Sequence, residues 1–338
     1  MIAFYILKKK NITAKTLIVI LLVYLILACS EKNFSAFESS QRFMMDTVIS
    51  LKISKQKKTE NIFAEFFSEF ERIDRKYSRT DTGSIIYKIN NRSDSSVYID
   101  SETAEIIGKC LDYYKLTNGC FDISMFTIGQ FWNFNLEEDT TVPEKIKKSL
   151  DFFKYSGSDK ISLNGNTLSF GNPHLLIDLG AVAKGYAIDK SVQILKKHNI
   201  SSALINAGGE IYALNFKKEN IKWNIAIQDP ENSNAYMKVV RLKDECVSTS
   251  GNYNRFVKYS GKRYCHIFNP KTGKNVDYFS SVSIIGKDGF TADVFSTAIM
   301  AAEQNYAEVW HRIRKYDENI ICYAKKGNSD LIELDNRK

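Results

Sequence analysis

Four short stretches hold the residue types that chemistry needs. In TADVFSTA, residues 291–298, Asp293 and Thr297 stand four apart, so on a helix their oxygens share one face. A carboxylate beside a hydroxyl suits Mg²⁺, a hard cation that keeps water or phosphate as its other ligands. The same stretch also reads as a plain capped helix start, with Thr291 as the cap. In HIFNPKTG, 266–273, His266 follows a strand-like run and precedes a rigid turn. Its near-neutral pKa suits a general base, or it serves as a structural histidine.

In IDLGAVAKGYAIDK, 177–190, Asp178 ends an apolar run, Gly180 follows, and Lys184 stands beside Gly185. A helix starting near Ala181 would leave the N–H groups of Gly180 to Ala183 free for an anion, with Lys184 adding positive charge. The alternative is an ordinary turn capped by Asp178. In LINAGGEIYAL, 204–214, two adjacent glycines allow either a close ligand or a tight hairpin.

These stretches need a frame, and the patterning predicts an α+β one. A first strand is expected over 42–54, and helices over 59–78 and 102–116. The first helix places Ile62, Phe63, Phe66, Phe67, Phe70 and Ile73 on one face. A strand 174–179, a helix 181–197 and a strand 202–206 read as a β-α-β unit. Further strands are expected at 161–163, 167–170, 210–214, 222–227, 238–241, 255–259 and 263–268. A long helix 291–314 then precedes a hairpin of 319–324 and 330–334.

The first 28 residues are of another kind. Four lysines precede the thirteen-residue apolar stretch TLIVILLVYLILA, which is short for a membrane span and fits a signal peptide, the alternative being an uncleaved N-terminal anchor. Cys29 follows Ala28, as in a lipobox, so Cys29 is the expected lipidation site. The reading is a lipoprotein signal peptide over 1–28, a polar tether over 29–42 and one domain over 43–338. The body would then be lipid-anchored in the cell membrane and face the periplasm or extracytoplasmic side.

The leader's lysines account for half of the formal net charge of +8. With no basic stripe interleaved with aromatics, nucleic acid is not an expected partner. Five cysteines besides Cys29, with no CxxC pair, argue against a disulfide framework or zinc ribbon.

In order along the chain, MMDT, YSRTDTGSIIYKIN, GCFDISMFTIGQFW, DLGAVAKGYAID, INAGGEI, SGNYNRF, HIFNPKTG and TADVFSTA resemble the blocks of the ApbE family of FAD:protein FMN transferases. The resemblance covers about residues 43–325. It implies an ApbE-like fold of mixed, largely antiparallel sheets flanked by helices. It also implies Mg-dependent transfer of FMN from FAD, the substrate, to a threonine hydroxyl of a target protein, with AMP released. Flavin contacts are implied at Met45, Cys120, Phe121, Asp122, Asp178, Lys184 and Ile267. Mg²⁺ is implied at Asp293, Thr297 and the carbonyl of Ala181, and His266 matches the histidine that assists proton removal. Gly180 and Gly185 would let the chain approach the ligand. The implied partners are flavin-accepting subunits of membrane redox complexes, of the quinone reductase or Rnf type. Asp46 departs from a usual glycine, and Thr80 from a usual aromatic that Tyr77 or Tyr87 would replace. Two other functions compete: an FAD pyrophosphatase giving FMN and AMP, and a non-catalytic flavin-binding lipoprotein.

Overall fold

Ile62, Phe66, Phe67, Phe70 and Ile73 are buried along one face of the first helix, α1 (Thr59–Tyr77), as their spacing requires; Phe63 sits at the border. The computed structural model describes residues 37–56, 58–134, 137–253 and 255–335. Seven further helices follow: α2 (Ile85–Asn90), α3 (Ser101–Leu116), α4 (Phe126–Gly129), α5 (Val142–Phe153), α6 (Ala183–Lys197), α7 (Gly289–Ala302) and α8 (Tyr306–Tyr316). Asp100 caps α3 by accepting the Thr103 amide at 3.1 Å.

The early strands are β1 (Phe37–Met44), β2 (Thr47–Ser54), β3 (Ser96–Tyr98), β4 (Ile161–Asn164), β5 (Thr167–Phe170), β6 (Ala203–Ala207) and β7 (Glu210–Leu214). The later ones are β8 (Trp223–Asp229), β9 (Asn232–Leu242), β10 (Glu245–Gly251), β11 (Phe256–Tyr259), β12 (Lys262–Cys265), β13 (Ser281–Gly286), β14 (Ile321–Lys325) and β15 (Ile332–Leu334). Eight form the main sheet, in the order β1-β2-β6-β7-β10-β13-β14-β15. From β2 onward every neighbouring pair runs antiparallel. The class is α+β, with helices against a largely antiparallel sheet.

α6 contacts β6 and β7, α7 contacts β7, β10 and β13, and α1 packs on α6. Every residue of α7 except Thr297 is buried, so this helix runs through the core. A core helix that also buries Thr291, Asp293 and Ser296 must give them partners.

The structure corrects several expectations. Residues 174–179 form no strand, although Leu175, Ile177 and Leu179 are buried in alternation. Side chains satisfy this backbone instead: Asn90 bonds both the amide and carbonyl of Ile177 at 2.8 Å, and Thr127 Oγ1 accepts the Leu176 amide at 3.0 Å. The β-α-β unit is therefore absent here. The helix expected over 291–314 breaks at Glu303, whose φ is +51°, and continues as α8. β10 and β13 were not expected, yet they lie at the centre of the sheet. The single strand expected over 42–54 is a hairpin of β1 and β2, so residues 37–42 of the expected tether belong to a strand. The signal peptide and Cys29 lie outside the described residues.

Candidate active site

The β6–β7 hairpin turns on Gly208 and Gly209, with φ of +65° and +99°, and closes on the pair Ala207 and Glu210. Hairpin geometry thus accounts for both glycines. A Cβ on Gly208 would also meet Thr47 Oγ1 at 2.5 Å. The turn delivers Glu210 to a buried position, where its Oε1 lies 2.6 Å from Nζ of Lys184, in the first turn of α6. Its other oxygen, Oε2, is buried and has no hydrogen-bond partner.

Asp293 enters the same pocket from α7. It accepts the Gly185 amide and the Ser248 hydroxyl, both at 3.4 Å. Ser250, also on β10, lies 3.2 Å from the Thr297 hydroxyl and 2.9 Å from that of Ser296. The expected pairing of Asp293 with Thr297 on one helix face is therefore present, at the sheet face beside Glu210.

Burial raises the Asp293 pKa well above the ordinary carboxylate range. The facing Glu210 raises it further, against the pull of Lys184. Burial alone would lower the Lys184 pKa, but Glu210 and Asp293 reverse this and raise it. Two enclosed carboxyl groups that face each other, with Lys184 paired to Glu210, form an oxygen-rich pocket. With the hydroxyls of Thr297 and Ser250, its hard oxygens fit a divalent cation such as Mg²⁺. Among the described residues no three His, Cys, Asp or Glu side chains form a metal cluster. Hydroxyl or carbonyl oxygens would therefore complete the ligand set.

The expected anion site at the start of α6 does not form as such. The helix begins at Ala183; the Gly180 amide bonds Asp178 Oδ1 at 2.9 Å, and the Val182 and Ala183 amides both bond the Leu179 carbonyl at 2.9 Å. Gly185 has a packing reason: a Cβ there would lie 2.4 Å from the Gly289 carbonyl oxygen. Its missing side chain admits the start of α7 rather than a ligand. Asp178 keeps a second partner, with Arg79 Nη1 3.0 Å from its Oδ2; the same guanidinium lies over the Phe126 ring at 5.1 Å.

His266 Nδ1 lies 3.2 Å from the Arg255 carbonyl oxygen. A carbonyl can only accept, so the proton of neutral His266 sits on Nδ1 and leaves Nε2 as a base. Desolvation of this half-buried ring first, then the positive charges of Arg255, Lys184 and Arg79, push its pKa down to about 4. Phe134 meets the imidazole edge-on with centroids 6.3 Å apart and stacks on Trp132 at 5.6 Å. A neutral base thus stands within the field of three cations, one of which also belongs to the Asp293 pocket.

The remaining expected residues are placed as follows. Met45 and Asp46 form the β1–β2 turn with φ of +52° and +58°, a left-handed conformation that aspartate adopts more readily than most residues with a side chain. The Met45 amide donates to Asp74 at 3.3 Å. Cys120 and Phe121 are buried, the Phe121 amide bonding Thr117 Oγ1 at 3.0 Å. Asp122 accepts the Ser124 amide at 2.8 Å and the Ser158 hydroxyl at 2.5 Å, with burial raising its pKa. Ile267 is buried, and Ala181 packs partly buried against the core. Tyr77 is buried against Tyr186, which removes it as a replacement stacking ring; Tyr87 stays half-buried. Arg79, Glu210 and Arg255 were not singled out from sequence, although each stands inside a block that was.

The chain matches the model of the ApbE family over residues 45–321. It is similar to the FAD:protein FMN transferases of Haemophilus influenzae, 27% identical over 72% of this chain and 75% of that one, and of Treponema pallidum, 31% identical over 60% of each. The match to the Vibrio cholerae transferase, 26% identical over 63% of this chain, spans 65% of that relative. The crystal structure of the Thermotoga maritima ApbE protein matches with a TM-score of 0.79 at 27% identity, over 89% of this chain and 97% of that one. The Vibrio cholerae flavin transferase structure matches the fold with a TM-score of 0.75 at 23% identity, over 88% of this chain and 97% of that one.

Proposed function

The chain belongs to the ApbE family, and from that premise we propose that it transfers FMN from FAD to a threonine hydroxyl of a target protein and releases AMP. The observation that supports this reading is the combination of His266, held neutral with its proton on Nδ1, and the oxygen-lined Asp293 pocket, Lys184 lying in the pocket and its charge reaching the imidazole.

In the reaction, the threonine Oγ bonds to the FMN phosphorus as the bond from that phosphorus to the bridging oxygen breaks. AMP leaves with the bridging oxygen, and the hydroxyl proton passes to Nε2 of His266. Arg79, Lys184 and Arg255 supply positive charge for the pyrophosphate, and such charge neutralisation is much of what phosphoryl transfer asks of a protein. Asp293 and Thr297 would hold Mg²⁺, with the free Glu210 oxygen in the same pocket; when bound, the ion neutralises charge developing on phosphate oxygens. Met45, Cys120, Phe121, Asp122, Asp178 and Ile267 are the proposed flavin-side contacts.

The proposed setting is the extracytoplasmic face of a membrane, with a lipid on Cys29. The proposed acceptors are flavin-bearing subunits of membrane redox complexes. The test is AMP release by the full-length protein from FAD and Mg²⁺, with and without a threonine-bearing acceptor domain. Release that depends on the acceptor supports transfer. Equal release without it makes the protein a pyrophosphatase, and FAD binding with no release leaves a flavin-binding protein.

A further inference from the structure

Asp189 lies on α6 one turn beyond Gly185, and its carboxylate reaches across to the start of α7. Its Oδ1 accepts the Gly289 amide at 2.7 Å and its Oδ2 the Phe290 amide at 2.9 Å. These are two of the amides that a helix start leaves without partners in its own helix. The side chain of Asp288, the cap of α7 itself, takes the Thr291 amide at 2.7 Å.

One turn back, the helices touch backbone to backbone. A Cβ on Gly289 would lie 2.6 Å from the Gly185 carbonyl oxygen, and one on Gly185 would be as crowded by Gly289. The Gly185 amide then reaches Asp293 on α7. The pocket thus takes Lys184 from α6 and Asp293 with Thr297 from α7, beside Glu210 of β7 and Ser250 of β10. The Gly185–Gly289 contact, the Gly185 amide on Asp293 and the Asp189 carboxylate all join α6 to α7.

We propose that Asp189 is a positioning residue that sets the Asp293 and Thr297 face of α7 against Lys184. It touches none of the reacting groups. For its metal readout, the inference rests on the reading of the pocket given above. Burial, then the neighbouring Asp288, push the Asp189 pKa up to about 7, against the pull of the two amides and of Lys109 on α3; Tyr212 on β7 and Cys246 on β10 also face it. An ionised carboxylate there is costly to hold. Asparagine in its place would shed that cost but offer a single acceptor oxygen for two amides.

The test is Asp189→Asn in the full-length protein. Amide hydrogen exchange would be followed at Gly185, Gly289 and Phe290, Mg²⁺ affinity measured without FAD, and Tm recorded at pH 8. The expected result is at least tenfold faster exchange at Gly185, about tenfold weaker Mg²⁺ binding, and a Tm within a few degrees of the parent. With FAD, kcat should fall while KM stays within about twofold. Parental exchange at Gly185 would overturn the inference whatever the metal does. Parental Mg²⁺ affinity despite faster exchange would also overturn it. A parent protein that takes up no Mg²⁺ would overturn the magnesium reading, and the exchange result would still decide the role of Asp189.

Discussion

His266 and Arg255 are joined twice through one carbonyl: the Arg255 oxygen accepts both the His266 amide, at 3.1 Å, and its Nδ1–H, at 3.2 Å. The ring is oriented by backbone, and the Arg255 side chain contributes charge rather than the hydrogen bond. Resonances of the ring nitrogens should therefore report the Nδ1–H tautomer at pH 6 in the free protein, with a midpoint near 4. Because the folded pKa lies below the ordinary 6.5, the folded state binds fewer protons than the unfolded one between pH 6.5 and 4. This histidine thus makes stability fall as pH drops through that window. Titration near 6.5, or an Nε2–H tautomer, would contradict the account.

Asp293 and Glu210 repel within a buried pocket, which Lys184 offsets only in part. Asp293→Asn should unfold no more easily than the parent without Mg²⁺, and under the proposed metal reading Mg²⁺ should raise the Tm of the parent but not of the variant. Transfer should fall by roughly 10²-fold or more, the scale of removing one preorganised electrostatic contact. A thermal scan with and without Mg²⁺ checks both parts.

Lys184→Met should behave in the opposite way. It leaves Glu210 and Asp293 buried without their cation; because the Lys184 side chain is itself 26% exposed, the loss should stay below the roughly 3–5 kcal/mol of breaking a fully buried pair. Denaturant unfolding at pH 8 should show that loss. Adding Glu210→Gln should recover part of it, because the charge left unpaired is then gone.

The glycines separate packing from ligand approach. Gly185→Ala drives a Cβ to 2.4 Å from the Gly289 carbonyl oxygen, whereas the nearest atom to a Cβ on Gly180 is Asp178 Oδ1 at 3.4 Å. Gly185→Ala should therefore destabilise by about 1–3 kcal/mol, as overpacking does. Gly180→Ala should be mild. Equal stabilities would refute the packing explanation for Gly185.

Where one face is buried and the other wet, the sequence is readable, as in α1 and in β6, whose alternation is plain. β10 and β13 escaped because their buried positions include Ser248, Ser281 and Ser283, polar residues that hide a core strand from a hydrophobicity pattern. The apolar alternation of residues 175–179 misled for the converse reason. It marks burial, but Asn90 and Thr127 stand where strand partners would be, and only the fold brings them there. Nothing local marks the break at Glu303, whose carboxylate takes the Asn269 side-chain amide at 2.8 Å and the Asp277 amide at 3.2 Å. Asp293 and Thr297 could be paired from helical spacing alone. Glu210, 83 positions away from Asp293 in sequence, enters their pocket only through strand order.

The most direct measurement is the intact mass of an acceptor domain incubated with the full-length protein, FAD and Mg²⁺, with His266→Ala run in parallel. The account predicts a gain of one FMN on a threonine of the acceptor, with AMP released in equal amount and both strongly reduced in the variant. An acceptor of unchanged mass while AMP accumulates, or full labelling by His266→Ala, would contradict it.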